Sequence, residues 1–336
     1  MTNRDTPSHS SQTSAKTEPE VIGSKARALD KDKTTVERLS IPRTSLQRIS
    51  LLLVLYLVSL GVFVIVFRQG SKQTSLPLFP TIILIAFLFE LLDSATGMGF
   101  GTALSPLLLV LGFPPLAVVP ALLVSETVSG VVAGGVHHEL RNVSFSFHPL
   151  NHATKLVLLL AGVGSLASIG AIFLTYSALQ LPDAVIRIYV SILVLVMGLI
   201  GIIRAQLKMR LTYRPRRLMG FALIAGFNKG IGGGGFGPVV TLGEILSGVY
   251  EKSATAIVSL AESVVSLVGI FTFLFISFTG APVNFVLLPS IYTGGFLAAI
   301  GAPYLVRVFP NKVWRYLIPL YATVIGILGL ALGVEI

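Results

Sequence analysis

Gly97-Met98-Gly99-Phe100-Gly101 returns later in the chain as Gly233-Gly234-Gly235-Phe236-Gly237, at an offset of 233 − 97 = 136. The same ungapped register pairs Gly112 with Gly248, and Ser125-Glu126-Thr127 with Ala261-Glu262-Ser263. Apolar, glycine-rich segments agree easily by chance, whereas a carboxylate within an apolar stretch is costly and rare. Its recurrence in the register of the glycine motif marks an internal duplication.

The residues around the two motifs are apolar on a scale that soluble domains do not reach. Of 336 residues 53% are hydrophobic and only 12% charged, too few to cover a soluble surface. Apolar runs long enough to cross a bilayer, which takes about 20 residues, cover approximately 48–68, 115–135, 154–178, 183–204, 253–279, 282–305 and 313–334. The stretches flanking the glycine motifs, 78–92 with 103–112 and 218–227 with 239–246, are too short to span. Each pair reads as a broken helix or helical hairpin that turns back at membrane depth. Such backbone is tolerated only where protein buries it or water wets it.

The expected fold is therefore an all-α polytopic membrane protein of two inverted repeats. Each repeat holds one re-entrant hairpin and three transmembrane helices, at 77–204 and 218–334. A basic connector, 205–217, joins them, and an additional N-terminal transmembrane helix, 45–70, precedes them. Residues 1–44, polar and without apolar periodicity, are expected to be a disordered cytoplasmic tail. The cations set orientation. Arg204, Lys208, Arg210, Arg214, Arg216 and Arg217 cluster in one connector, and Arg307, Lys312 and Arg315 in another, while 181–183 and 280–282 carry no Lys or Arg. The positive-inside rule puts the basic connectors and the N-terminus in the cytoplasm of an inner (plasma) membrane. The net charge of +10 is thus a topology signal, and no nucleic-acid partner is expected.

Two glycine breaks, each followed by a helix start near Thr102 and Pro238, present unpaired N–H groups and positive dipole ends. Opposed helix N-termini suit a small anionic substrate, with Gly97, Gly99, Gly101, Thr102, Gly233, Gly235 and Gly237 as the binding residues. The competing reading is that these glycines only let helices pack closely. Asn228 and Lys229 precede the second cluster. A buried ammonium there would pair either with the anion or with an acid, Asp93 in the matching region of the first half being one partner. Glu126 and Glu262 are candidates for proton coupling, or for a structural role bonding the glycine loops with help from Ser125 and Ser263. Glu90 and Glu244 are weaker candidates near hairpin ends.

Other chemistry is poorly served. With no cysteine there is no thiol or Cys–metal site. His148 and His152 have helical spacing but lie in a polar loop without the rest of a metal motif, so no metal site is expected. No Walker motif, HExxH or serine nucleophile motif occurs, so neither an enzyme nor a cofactor is expected. The partners expected are the anion and the lipid bilayer, and nothing in the sequence specifies an oligomeric state. A passive anion channel using the same pore is the alternative to a carrier.

On segment 93–101, its repeat from Gly226-Phe227-Asn228-Lys229-Gly230 through Gly237-Pro238, and the duplicated layout, the chain resembles the sulfite exporter TauE/SafE family of permeases over roughly 77–334. The resemblance implies a carrier of two homologous halves and a sulfur anion as substrate, sulfite or an organosulfonate such as sulfoacetate. The polar tail and first helix look like additions to a minimal member.

Overall fold

The computed structural model describes residues 22–70, 78–206 and 215–333. Among these residues the chain is helical, with one isolated bridge between Phe147 and Leu150 and no strand. The helices are α1 (Ser24–Asp32), α2 (Thr35–Leu39), α3 (Arg43–Gly70), α4 (Pro80–Thr96), α5 (Ser105–Val110), α6 (Pro115–Glu139), α7 (His152–Ile172), α8 (Asp183–Gln206), α9 (Pro215–Gly232), α10 (Phe236–Leu246), α11 (Glu251–Phe278), α12 (Leu288–Val308) and α13 (Asn311–Gly333). π-helical turns, Phe100–Leu104 and Phe173–Ala178, lead into α5 and extend α7. Among the described residues five helices are long and apolar enough to cross a membrane, and large apolar side chains such as Leu166, Ile203, Phe271 and Leu320 face outward. That outward face needs lipid, so the chain is an all-α, multi-pass membrane protein.

The duplication seen in sequence reappears in the helix bounds. Shifted by 136 residues, Phe100 falls on the start of α10, Pro115 on the start of α11 and His152 on the start of α12. The turns repeat too. Gly97, Gly99 and Gly112 have φ of 69°, 156° and 91°, and their counterparts Gly233, Gly235 and Gly248 have 72°, 82° and 87°. Glycine enters this left-handed region without the steric cost other residues meet, so the chain reverses at equivalent points.

The halves interlock. α4 of the first packs chiefly on α12 of the second, and α9 of the second packs on α7 of the first. α6 crosses α11 and α8 pairs with α13. Small residues permit this closeness: a methyl on Gly294 would overlap the Ile83 carbonyl, and one on Gly198 the Thr323 backbone. Helices in lipid gain little from apolar burial and associate through such close packing.

Two expectations need correction. α4 and α9 are longer than the short arms read from sequence, and α9 continues through Asn228 and Lys229, which therefore sit on its last turns. Residues 22–44, placed within a disordered tail, instead form α1 and α2 and pack against the body, with Ile22 and Ala26 buried. Arg307 clamps this segment, donating to the carbonyls of Arg38, Ser40 and Leu140. The polar composition concealed it because its anchors are backbone carbonyls. Residues 1–21 and most of the basic connector, 207–214, lie outside the described residues.

Candidate functional site

Each hairpin tip begins with a helix terminus. Gly97 caps α4 through its N–H to the Asp93 carbonyl at 2.6 Å, and Gly233 repeats the bond to the Lys229 carbonyl at 2.8 Å. Asp93 and Lys229 thus hold equivalent places, one an acid and the other a base. In the second half the chain then folds back. Gly235 approaches the Asn228 Cβ and Gly243 the Phe221 ring, so α9 and α10 lie antiparallel.

The tips meet backbone to backbone. A methyl on Gly101 would overlap the Gly233 carbonyl, one on Gly234 the Gly101 carbonyl, and one on Gly237 the Gly97 carbonyl. Gly99 packs on its own arm, against Asp93 and Phe89. Hydroxyls stitch the contact. The Gly235 N–H donates to Thr102 Oγ1 at 3.1 Å, Thr241 Oγ1 donates to the Gly97 carbonyl at 2.9 Å, and Ser105 Oγ donates to the Gly232 carbonyl. The Gly235 N–H, expected to face an anion, is therefore occupied within the protein in this conformation.

Below the tips lies an ion triad. Lys229 Nζ, fully buried, stands 2.5 Å from Glu126 Oε2 and 2.7 Å from Glu262 Oε1. Ser266 Oγ, one helical turn beyond Glu262, donates to Glu126 Oε2 at 3.2 Å, while Glu126 Oε1 has no partner. With both carboxylates ionised the triad carries one unit of excess negative charge, a costly state at this depth. A single added proton leaves a neutral ion pair plus a neutral acid.

This arrangement corrects two expectations. Lys229 pairs with Glu126 and Glu262 and forms no salt bridge with Asp93. The two glutamates do not accept from the glycine loops, and Ser125 and Ser263 donate instead to the carbonyls of Ile291 and Leu260. Ser266 was missed, although its i, i+4 spacing from Glu262 places both on one helix face.

Further buried polar groups lie in the helices around the hairpins. Asn228 accepts from the Tyr189 hydroxyl, and its Nδ2 is buried without a partner. Ser94 donates to Glu90 at 2.6 Å, leaving Glu90 Oε2 without a bond. Glu244 is fully buried and neither oxygen is bonded. His137, which no sequence motif marked, ties α6 to α4. Its Nδ1 accepts from Asn142 at 2.9 Å, so Nε2–H donates to the Ser94 carbonyl at 2.9 Å. His148 and His152 join no metal cluster, and no group of three or more potential ligands occurs among the described residues.

Paired broken helices with buried ionisable residues between interlocked repeats define a multi-pass membrane transport protein. Residues 82–332 match the family model described as Sulfite exporter TauE/SafE. The chain is 30% identical over 245 residues to the "Probable membrane transporter protein YtnM" of Bacillus subtilis (strain 168), a match covering 70% of this chain and 76% of that one. No solved structure matches the chain. The chain belongs to the TauE/SafE family.

Proposed function

We propose that this protein is a proton-coupled secondary carrier of a small anion, sulfite or an organosulfonate, in an inner (plasma) membrane with the N-terminus cytoplasmic. The observation that carries the reading is the Glu126–Lys229–Glu262 triad, which joins the two halves directly beneath the touching tips. Glu126 lies near the middle of the 25-residue α6, which supports a site near the membrane midplane. Reading each half as one returning hairpin and three crossing helices, with α13 as the sixth beside the five long apolar helices, gives an odd number of crossings and halves of opposite orientation.

The mechanism follows from the charges. While both carboxylates hold Lys229, its ammonium is not free to meet an incoming anion. Protonation of Glu126 or Glu262 removes one competitor and lets the ammonium take an oxyanion. Separation of the tips frees the Gly235 N–H and the helix N-termini as further donors. Substrate and proton thus occupy the site together, and direction follows their gradients. Sulfite and organosulfonates enter through the family likeness, since their oxygens suit an ammonium and backbone N–H groups.

Flux of sulfite and sulfoacetate into proteoliposomes holding the full chain, with and without an imposed pH gradient, tests the proposal. Movement accelerated by the proton gradient is expected. Failure of these and other small anions to move overturns it, and currents far above carrier turnover would make the protein a channel.

A further inference from the structure

Two cavities lie at opposite ends of α6. At its C-terminal end a cavity of about 760 Å³ is bordered by His138, Glu139 and Arg307 together with the N-terminal segment. At its N-terminal end a cavity of about 590 Å³ is lined by uncharged residues, among them Leu116, Tyr176, Gln180 and Asn284. A helix of 25 residues is about 37 Å long, so the cavities approach the triad from opposite sides.

Between the uncharged cavity and the second tip stands a thin apolar layer. Val119, Leu123, Ile172, Phe273 and Ile276 form one buried cluster with Tyr176 packed against it. Val119 lies directly against Gly233. An apolar constriction of this kind excludes a hydrated anion. Tyr176 touches every part of this arrangement. It lines the cavity, its ring sits 5.2 Å from the Phe273 ring, and its hydroxyl donates to the Ile231 carbonyl.

That carbonyl has a specific need. The last carbonyls of a helix lack intrahelical donors, and α9 ends at Gly232. Gly235, four residues after Ile231, donates its N–H to Thr102. Tyr176 therefore satisfies a tip carbonyl from outside the hairpin. It does so from the π-helical Phe173–Ala178, a helix distortion frequent at functional sites.

We propose that Tyr176 is the gate between the uncharged cavity and the glycine tips, closing the path by latching Ile231 and covering the apolar layer. The proposal rests on the carrier reading, because a gate presupposes a path. The latch ties tip two to the extension of α7, so movement of tip two away from the layer on this side begins with loss of the Tyr176–Ile231 bond.

The absence of native cysteine permits a direct test on the full chain. Val119→Cys places a thiol behind the gate, and Ser177→Cys places one in the cavity lining as reference. Each is reconstituted, checked for monodisperse elution, and exposed to a membrane-impermeant methanethiosulfonate reagent. The thiol at position 119 should react far more slowly than the one at position 177. Adding Tyr176→Phe, which removes one hydrogen bond, should speed reaction at position 119 about threefold to tenfold and leave position 177 unchanged. Equal rates at 119 with Tyr and Phe, or a rate at 119 matching that at 177 in the parent, overturn the gate. If Val119→Cys does not elute as a single species, Ile172→Cys in the same layer is read by the same criteria. The readout involves no substrate, so its failure is separable from failure of the carrier proposal.

Discussion

Lys229 Nζ lies 2.5 Å from Glu126 Oε2, so the last turn of α9 in the second half is bound to the middle of α6 in the first. The same ammonium holds Glu262 of α11, and the three charges share one buried site where the two duplicated units cross. Removing the lysine leaves both carboxylates uncompensated, a costly state for buried charges.

Lys229→Met should therefore lower stability by about 3–5 kcal/mol, the usual result of stripping one partner from a buried ion pair. Thermal unfolding in detergent checks this. Restoring part of the melting temperature by adding Glu126→Gln and Glu262→Gln to Lys229→Met would locate the loss in the stranded carboxylates. A melting temperature unchanged by Lys229→Met would contradict the burial of the charge.

Glu126→Gln removes a proton acceptor while keeping the shape of the side chain. Its flux should lose the response to an imposed pH gradient, measured in proteoliposomes beside the parent chain. Retention of the full gradient response would take Glu126 out of the coupling step.

The tips predict a contrast between glycines. Gly101→Ala puts a methyl into the Gly233 carbonyl and should force the tips apart, with flux falling at least about tenfold and stability by about 1–3 kcal/mol. Gly162→Ala, within α7 and with open space around it, should instead be neutral or stabilising by up to about 1 kcal/mol. Comparable losses in both would mean that close approach of the tips is not what constrains these residues.

Arg307→Ala releases three backbone carbonyls, two of them in the N-terminal segment. Hydrogen exchange around residues 34–42 should accelerate while the core of α6 and α11 keeps its protection. The same segment predicts a pH response at α2. Hydrogen bonds from the Thr34 N–H and hydroxyl hold the Glu37 carboxyl below the usual carboxylate range, with Lys33 adding a smaller attraction. A lowered value in the folded state means the carboxylate form is the stabilising one. The contribution is complete above the ordinary carboxylate range and is lost as pH falls through the lowered value, so exchange at α2 should rise only in acid.

The glycine motifs and the two glutamates were legible because both carry a cost that chance does not repeat: positive φ at the turns and a carboxylate in apolar surroundings. The same register relates the observed starts of α10, α11 and α12 to Phe100, Pro115 and His152. Lys229 was legible as a buried cation, yet its partners were not. Its nearest analogue in the duplicated pattern was Asp93, and only the crossing of α6 and α11 brings Glu126 and Glu262 to it. The N-terminal segment misled for a different reason, since composition reports side chains and this segment is held largely through its main chain.

Taken alone, the sequence determined a duplicated, all-helical membrane protein with a glycine break and a mid-helix acid in each half. These follow from local requirements, the length of an apolar run, the conformational freedom of glycine and the cost of a buried charge, which any fold of this chain must meet. The tertiary structure alone decided that the halves interlock, that the tips close on each other, and that one lysine is shared by two acids from different halves. Those are contacts between residues more than thirty to a hundred positions apart, and no local rule specifies which distant surfaces meet when helices pack.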